Sequence, residues 1–273
     1  MTADAEGEGR RAAGRFRKDH HLEDQPLGDL VTIIEQTTDI DVAVLDVGAD
    51  EHGLTMRDPT RGVVFIGAAK TTNPMRQRSS LAHELAHVLF EDWADNTDEG
   101  WSERTHPEVR SDAFARHLLI PLSGLRSFVG DRAGCDLSTL SAIVQRFLVS
   151  PAIAAIAMRQ AGYLSGATKE GWMRVTTPAL AARFGWSDQY RALRAASDRR
   201  RAPQRLLARA VEGYLENVVS LQTLATLRGL NVTTVEVELR EAGLVPKRTT
   251  VEWAGPASLP EVDLDLSELN EVP

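Results

Sequence analysis

The segment NPMRQRSSLAHELAHVLF, at residues 73–90, decides the fold of the first half of the chain. Asn73 is a good helix cap, Pro74 suits the first helical turn, and no other proline or glycine interrupts the segment. The segment is therefore predicted to form a long helix. His83 and His87 are four residues apart in it, so their imidazoles project from one face and can bind the same metal ion.

The other residues of this predicted helix divide between an apolar face and one carboxylate. The apolar residues cluster on the side opposite the two histidines: Leu81, Leu85, Val88 and Leu89. Glu84 lies one step around the helix from His83, too far round to join the histidines as a ligand but well placed to contact a water on the metal. This is the position of a general base.

A catalytic zinc takes three protein ligands and keeps one position open, so the histidine pair needs a further donor. Cys135 is the only cysteine, which limits the donor to histidine or carboxylate. An acidic stretch offers several candidates, each of which fits a solvated loop better: Glu91, Asp92, Asp95, Asp98, Glu99 and Glu103. Glu108 differs because it falls in the first turn of a second predicted helix, which Pro107 begins.

Asp112 lies one helical turn after Glu108 and on the same face. Metal-binding histidines usually donate their second ring N–H to a carboxylate or a carbonyl, which fixes the tautomer and raises basicity. We therefore predict that Asp112 accepts a hydrogen bond from His83 or His87. His106 precedes this helix and is interpreted as a structural cap residue, the alternative being polarisation of a substrate carbonyl.

These segments resemble the ImmA/IrrE family of metallo-endopeptidases, and HExxH followed by ExxSD is also similar to gluzincin-type zinc proteases. Family members carry an Arg, then TLAHELGH, and then an ExxA(N/D)xFAxxLLxP run. The corresponding residues here are 76–87, with HELAH at 83–87, and EVRSDAFARHLLIP at 108–121. Ser80, Ala86 and Ser111 depart from the pattern, each by one small residue for another. The resemblance covers about residues 26–125, with a weaker similarity to residue 162.

The resemblance implies roles for four residues. His83, His87 and Glu108 match the family's zinc ligands, and Glu84 matches its catalytic glutamate. It also implies a cytoplasmic protease that cleaves a repressor or another regulator, often of the helix-turn-helix type, and so switches on phage, mobile-element or stress genes.

The pattern along the chain predicts an α+β fold, in which a small antiparallel sheet and zincin-type active-site helices precede a mostly α-helical domain. Pro26–Gln36 has helical spacing, Ile40–Val44 alternates like a strand, and Leu54–Arg57 with Val63–Ile66 form a hairpin. The predicted organisation is a disordered tail (1–24), a zinc metallopeptidase domain (25–125), a helical extension (126–165), a helical helix-turn-helix-like domain (166–250) and an acidic tail (251–273).

The second half is predicted to contain a helix, a glycine turn and a helix at residues 221–240, with Ala225, Gly229 and Val235 in the positions that such units require. The stretch from Arg183 to Arg209 holds eight arginines and two aspartates. It could contact nucleic acid, but a solvated helical face with a basic loop is the favoured interpretation. We interpret this half as a scaffold that recognises a protein or carries a sensor.

Composition narrows the function classes. The net charge of -8 and the sequence pI of about 5.4 argue against a protein that coats nucleic acid or anionic membranes. The sequence shows neither a membrane-spanning apolar run nor a secretory signal, and one cysteine suits a reducing compartment, so a cytoplasmic location is expected.

Two alternatives to a zinc endopeptidase remain. The first is a non-catalytic regulator that retains the metal fold and binds DNA or a repressor. The second is a zinc hydrolase that acts on something other than protein. The presence of Glu84 favours an enzyme, because a purely structural metal site does not need it.

Overall fold

The computed structural model describes residues 2–48, 53–58, 60–93, 105–131 and 134–247, so the predicted acidic tail at 251–273 lies outside the described residues. The first half contains α1 (Thr2–Asp19), α2 (Leu30–Thr37), β1 (Asp41–Leu45), β2 (Gly53–Arg57), β3 (Val64–Ala69), α3 (Pro74–Leu89), α4 (His106–Leu119) and α5 (Leu122–Val129). The second half contains α6 (Leu137–Phe147), α7 (Pro151–Gln160), α8 (Gly166–Trp172), α9 (Thr177–Arg183), α10 (Ser187–Ser197), α11 (Gln204–Leu215), α12 (Leu221–Arg228) and α13 (Val232–Glu241). The predicted α+β class, with a mostly helical remainder, is confirmed.

The sheet has the strand order β1-β3-β2. The predicted hairpin is confirmed, since β2 and β3 pair antiparallel, but β1 pairs parallel with β3, with Asp41 opposite Phe65. The sheet is therefore mixed, and the prediction of an antiparallel sheet is wrong in this respect. The strand order follows from the apolar sequence of β3, whose Ile66 and Ala68 are buried, whereas Leu54 and Met56 of β2 are exposed. The more apolar strand takes the centre and β2 takes the edge.

The predicted disordered tail at residues 1–24 is wrong, because Thr2–Asp19 forms α1 and packs along α4. Its buried residues are mostly small and recur at helical spacing: Ala5, Ala12, Ala13 and Phe16. Small side chains bury little area each but let two helices approach closely. Arg17 is also buried, and its Nε donates to the Leu118 carbonyl at 2.8 Å.

Helices α3 and α4 begin close to the predicted positions. Asn73 caps α3 by accepting a hydrogen bond from the Arg76 amide at 3.2 Å, and Pro74 occupies the first turn. Leu81 and Leu85 are buried as predicted. Leu89, assigned to the same apolar face, is instead 42% exposed at the last residue of the helix.

The buried side chains form two clusters. The larger one runs from α1 through the sheet and α3–α7 to Tyr190 of α10, so no break in the core occurs at the predicted boundaries near residues 125 and 165. The smaller one lies among α11, α12 and α13. In the described ranges no single helix is long and apolar enough to cross a membrane; α6 and α7 meet that test only as a pair bent by 108°.

The predicted helix, glycine turn and helix at 221–240 is confirmed in α12 and α13. Gly229 has a φ of 64° and ends α12 in the left-handed region, where glycine carries no Cβ penalty. Ala225 and Val235 are buried between the helices. A role for this unit in recognising a partner stays a prediction.

Part of the predicted basic stretch joins the two halves of the chain. Arg201 pairs with Asp29 at 2.6 Å, and Arg205 pairs with Asp41 at 2.9 Å. The backbone of Arg201 also forms an antiparallel bridge with Val44 on the outer side of β1, through N···O distances of 2.8 and 3.0 Å. These contacts occupy arginines that a nucleic-acid surface would need free.

Gly9 marks the closest approach of α1 to α4, which yields a test of this packing. A Cβ at Gly9 would lie 2.3 Å from the Arg110 carbonyl oxygen and 2.7 Å from the Phe114 amide nitrogen. Gly9→Ala should therefore lower the free energy of unfolding by about 1–3 kcal/mol, measured by urea denaturation. The matched control is Gly14→Ala on the same helix, where a Cβ meets nothing within 4 Å; it should stabilise by about 0.5–1 kcal/mol. Equal effects of the two substitutions would contradict the packing of α1.

Candidate metal centre

Helices α3 and α4 bring together the three residues predicted as metal ligands. The Nε2 atoms of His83 and His87 lie 3.0 Å apart. The Glu108 carboxylate faces both rings, with Oε2 at 3.2 Å from His83 Nε2 and Oε1 at 3.5 Å from His87 Nε2. Three donor atoms from two helices thus converge on one point, and they satisfy the spacing of a metal-binding group.

These distances fit a tetrahedral zinc site. Ligand atoms at 2.0–2.1 Å from an ion in tetrahedral geometry are about 3.3 Å from one another, close to the three separations between Nε2 and carboxylate atoms. Two histidines and one carboxylate also form the donor set typical of a catalytic zinc with one open position. The competing acids Asp95, Asp98, Glu99 and Glu103 lie outside the described residues.

The ionisation of the cluster shows how strongly its groups interact. Burial of the His83 imidazole acts to lower its pKa, but hydrogen bonds to Asp112 and Glu108 outweigh this and raise the pKa to about 10. The same contacts with His83 and His87 hold the pKa of Glu108 well below its usual range. A proton and a metal ion therefore compete for the same histidine nitrogen and carboxylate oxygen atoms, and binding of the metal ion releases the proton.

Asp112 lies where the sequence predicted, and the structure selects its partner. Its Oδ1 is 3.1 Å from Nδ1 of His83, on the ring edge opposite the cluster. A carboxylate in this position fixes the tautomer that leaves Nε2 free as a donor to the metal. Glu108 and Asp112, one turn apart on α4, thus contact opposite edges of the same imidazole.

His87 also has polar partners at its Nδ1 atom, which the sequence did not reveal. Nδ1 of His87 is 3.4 Å from Asp92 Oδ2 and 3.5 Å from the Ser111 hydroxyl. Arg110 holds the other oxygen of Asp92 at 2.6 Å, and its guanidinium lies 3.9 Å from the centroid of the Phe90 ring. Asp92 Oδ2 is buried without a hydrogen bond, so a small rotation of the His87 ring would give this oxygen its donor.

The partner of Asp92 could not be read from the sequence, because α3 ends before Asp92 and only the fold brings Arg110 to it. The sequence holds one indication of this contact: Arg110 lies between Glu108 and Asp112, so it belongs to the part of α4 that faces the metal centre. The sequence offers Asp92 as one candidate ligand, but the structure places its carboxylate at Nδ1 of His87, away from the ligand cluster.

Glu84 is held by the edge strand of the sheet. The Thr55 hydroxyl donates to Glu84 Oε2 at 2.7 Å. Gly53, two residues earlier on β2, packs so closely that a Cβ would lie 2.5–2.8 Å from atoms of the Glu84 side chain. The strand therefore both orients the carboxylate and leaves space for it, and neither residue was identified from the sequence.

A second group of possible ligands lies between α1 and α4, where Asp4, Glu8 and His106 come together. Glu8 is also within 3.5 Å of Arg110 Nη1 and 3.8 Å of His106 Nε2. This arginine already supplies positive charge to the carboxylate. We interpret the group as part of the α1–α4 interface. The cap residue of α4 is Thr105, so His106 is not the cap that the sequence predicts but the first residue of the helix.

The fold and the site together define an HExxH metallopeptidase-type domain. Residues 35–159 match the family model of Peptidase M78, described as an IrrE N-terminal-like domain. Residues 35–159 are thus similar to the ImmA/IrrE family, in agreement with the resemblance of the motifs. The match extends to α7, beyond the predicted end at residue 125, in agreement with the continuous core. No curated protein matches the chain.

Substitution of the carboxylates behind the two histidines tests how much they contribute to the metal affinity of the site. Asp112→Asn and Asp92→Asn should each weaken zinc binding about 10–100-fold, because each removes the charged acceptor behind a ring N–H. The affinity would be measured by competition with a chelator of known strength. Glu91→Gln is the control, since it removes a neighbouring exposed acid. An unchanged zinc affinity in either variant would show that the carboxylate concerned does not support the histidine.

Proposed function

We propose that the protein is a zinc-dependent endopeptidase that cleaves a regulatory protein in the cytoplasm, with a helix-turn-helix transcriptional repressor as the substrate class. The observation that carries the enzymatic part is the combination of a His83, His87 and Glu108 cluster with a carboxylate, Glu84, anchored beside it. A metal site with a purely structural role needs no such carboxylate. The membership of residues 35–159 in a metallopeptidase family supports the same reaction class.

The residues present account for the proton transfers of peptide hydrolysis. His83, His87 and Glu108 would hold a zinc ion, which would supply Lewis-acid polarisation of a carbonyl and a lower pKa of the attacking water. Glu84 accepts the proton of the attacking water and then delivers it to the nitrogen of the leaving amine. Thr55 orients Glu84 by donating to Oε2, which leaves the other carboxylate oxygen for this work.

The edge strand offers a way to bind the substrate. In the described part of the sheet, β2 is hydrogen-bonded on one side to β3, and its other side is open. An extended peptide can add to such an edge through backbone hydrogen bonds, which do not depend on the amino-acid sequence of the peptide. Because Gly53 and Thr55 contact Glu84, a segment paired with β2 would pass directly beside the carboxylate.

A repressor as substrate is supported by the family resemblance and by the second core. The resemblance implies a protease that cleaves a regulator, often of the helix-turn-helix type, and α11–α13 provide a separate helical unit with its own buried cluster. Such a unit suits recognition of a folded protein, while β2 suits an extended segment of it. Arg201 and Arg205 of the basic stretch pair with Asp29 and Asp41, and the net charge of the chain is -8, so nucleic acid is the less favoured partner.

The role of Glu84 is tested by Glu84→Gln, which preserves size and hydrogen bonding but removes the basicity. The zinc content and the melting temperature should remain unchanged. Cleavage should fall by about 10²–10⁴-fold, the usual contribution of general acid–base catalysis.

The substrate would be found by comparing new protein N-termini in cells that produce the wild type or Glu84→Gln. A repressor encoded beside the gene is the first candidate, and the purified pair would be incubated with zinc. A repressor cleaved only by the wild type supports the proposal. Target genes induced equally by both proteins, with every repressor intact, would instead favour the non-catalytic regulator.

The contact between Gly53 and Glu84 gives an independent test of the geometry. Gly53→Ala should displace the Glu84 carboxylate and reduce peptidase turnover about tenfold or more, because misplacement of a reacting group by about 1 Å can cost 10²-fold. Zinc affinity should be retained, since the three ligands do not contact Gly53. Gly48→Ala, where a Cβ meets nothing within 4 Å, should have no effect on turnover. Equal turnover of the two variants would contradict the placement of β2.

A further inference from the structure

The two faces of β2 differ in their chemistry. Because side chains alternate along a strand, Leu54 and Met56 lie on the face turned away from α3, and they are 49% and 52% exposed. Gly53, Thr55 and Arg57 lie on the other face, where the first two contact the glutamate of α3. The strand therefore has one apolar face and, on the side of the metal centre, one face that ends in a cation.

Arg57 is held in position without a charged partner. Its guanidinium lies 5.4 Å from the centroid of the Trp93 ring, a cation–π contact that does not consume its N–H donors. In the part of the chain that the structure describes, no carboxylate pairs with it. Two residues of a strand span about 7 Å, so this charge lies that far along β2 from Thr55. A carboxylate on a strand paired with β2 can reach it.

One segment of the chain carries the complementary pattern. In EVDLDL, at residues 261–266, an acid occupies every odd position and an apolar residue every even one. Such strict alternation is typical of a strand with two different faces. The segment belongs to the stretch 251–273, which lies outside the described residues and contains no lysine or arginine.

Pairing of this segment with β2 matches both faces at once. When its apolar residues lie beside Leu54 and Met56, its acidic residues lie on the side of Arg57. A slip by one residue would exchange the two faces and place the apolar side chains around the guanidinium, so the correct alternation is strongly favoured. Glu84 lies on the acidic side too, and the charge of a zinc ion held at the metal centre would offset its repulsion of the segment.

The chain that leads to this segment is long enough to reach β2. The last described residue, Lys247, donates its backbone N–H to the final carbonyl of α11 at 2.8 Å. At its other end α11 is fixed to β1 by the pair of Arg205 with Asp41, and Asp41 lies directly across the sheet from Met56. These contacts put Lys247 within roughly 40 Å of β2. Glu261 follows Lys247 by 14 residues, which extend to about 46 Å.

We infer that residues 261–266 of the chain itself add to the open edge of β2 as an additional strand, with their apolar side chains on Leu54 and Met56 and an aspartate paired with Arg57. The inference rests on the proposed function, since β2 is there the strand on which the substrate docks. A substrate must then displace the segment, which restrains the peptidase. A tethered segment acts at an effective concentration of about millimolar, so a weak contact suffices.

Photo-cross-linking in the full-length, zinc-loaded protein tests this contact. Benzoylphenylalanine takes the place of Met56 in the Glu84→Gln protein, so that the docked segment is not cut, and mass spectrometry identifies the linked peptides. The monomer should contain a link between β2 and residues 261–266. Benzoylphenylalanine in place of Met173, which is 37% exposed in the helical half, is the control and should give no such link.

Three substitutions test the chemistry of the docking. Leu264→Asp puts a charge on the apolar face and should reduce the yield of the link about tenfold or more. Val251→Asp is the matched control, because it adds the same charge to the same stretch outside the segment, and it should leave the yield unchanged. Arg57→Gln should reduce the yield about two- to fivefold, the usual effect of an exposed ion pair.

The inference is overturned if the monomer contains no link from position 56 to residues 261–266, or if Leu264→Asp gives the same yield as Val251→Asp. Links that join two copies of the chain would overturn it as well, since a second copy would then be the occupant of the edge. The link forms without hydrolysis. A wild type that cleaves nothing would therefore contradict the proposed function, whereas a missing link in an active peptidase would contradict only the docking of the segment.

Discussion

The close packing of α3 against α4 is the constraint on which the whole site depends. The two histidines and Glu108 come from helices separated in sequence, so their side chains meet only if the helix axes approach closely. The residues that permit this approach are small and buried: Ala82, Ala86, Ser111 and Ala115. Two of them, Ala86 and Ser111, are positions where the chain departs from the motif of the ImmA/IrrE family, and both keep the side chain small. A larger residue there would separate the ligands by more than one ion can bridge.

The rest of the fold supports this helix pair from outside. Helix α1 covers α4 on one side, and β2 lies against α3 on the other and holds Glu84. Each histidine has a carboxylate behind it, Asp112 for His83 and Asp92 for His87, so the rings are oriented before any ion arrives. Preorganisation of this kind lowers the entropy that must be lost when a metal binds.

The sequence predicted the features that depend on local chemistry. The cap and proline of α3, the HExxH spacing, the position of Asp112 and the glycine turn before α13 are each set by residues within a few positions of one another. Non-local features were missed. The parallel pairing of β1 with β3, the contact of Arg110 with Asp92 and the approach of Thr55 to Glu84 depend on how distant segments pack. Helix α1 was missed for a different reason: its buried face consists mainly of alanine, which a search for large apolar residues overlooks.

The bridge between Arg201 and Val44 protects one edge of the sheet from pairing with other chains in a crowded solution. An open β edge can pair with any extended chain, and proteins usually protect such edges against aggregation. Here the connection leading into α11 covers the outer side of β1. In the part of the sheet that the structure describes, the uncovered edge is β2, beside Glu84. An unrelated strand that docks on this protein is therefore directed to the edge beside Glu84, where the proposed peptidase activity would cut it and so limit aggregation seeded from that edge.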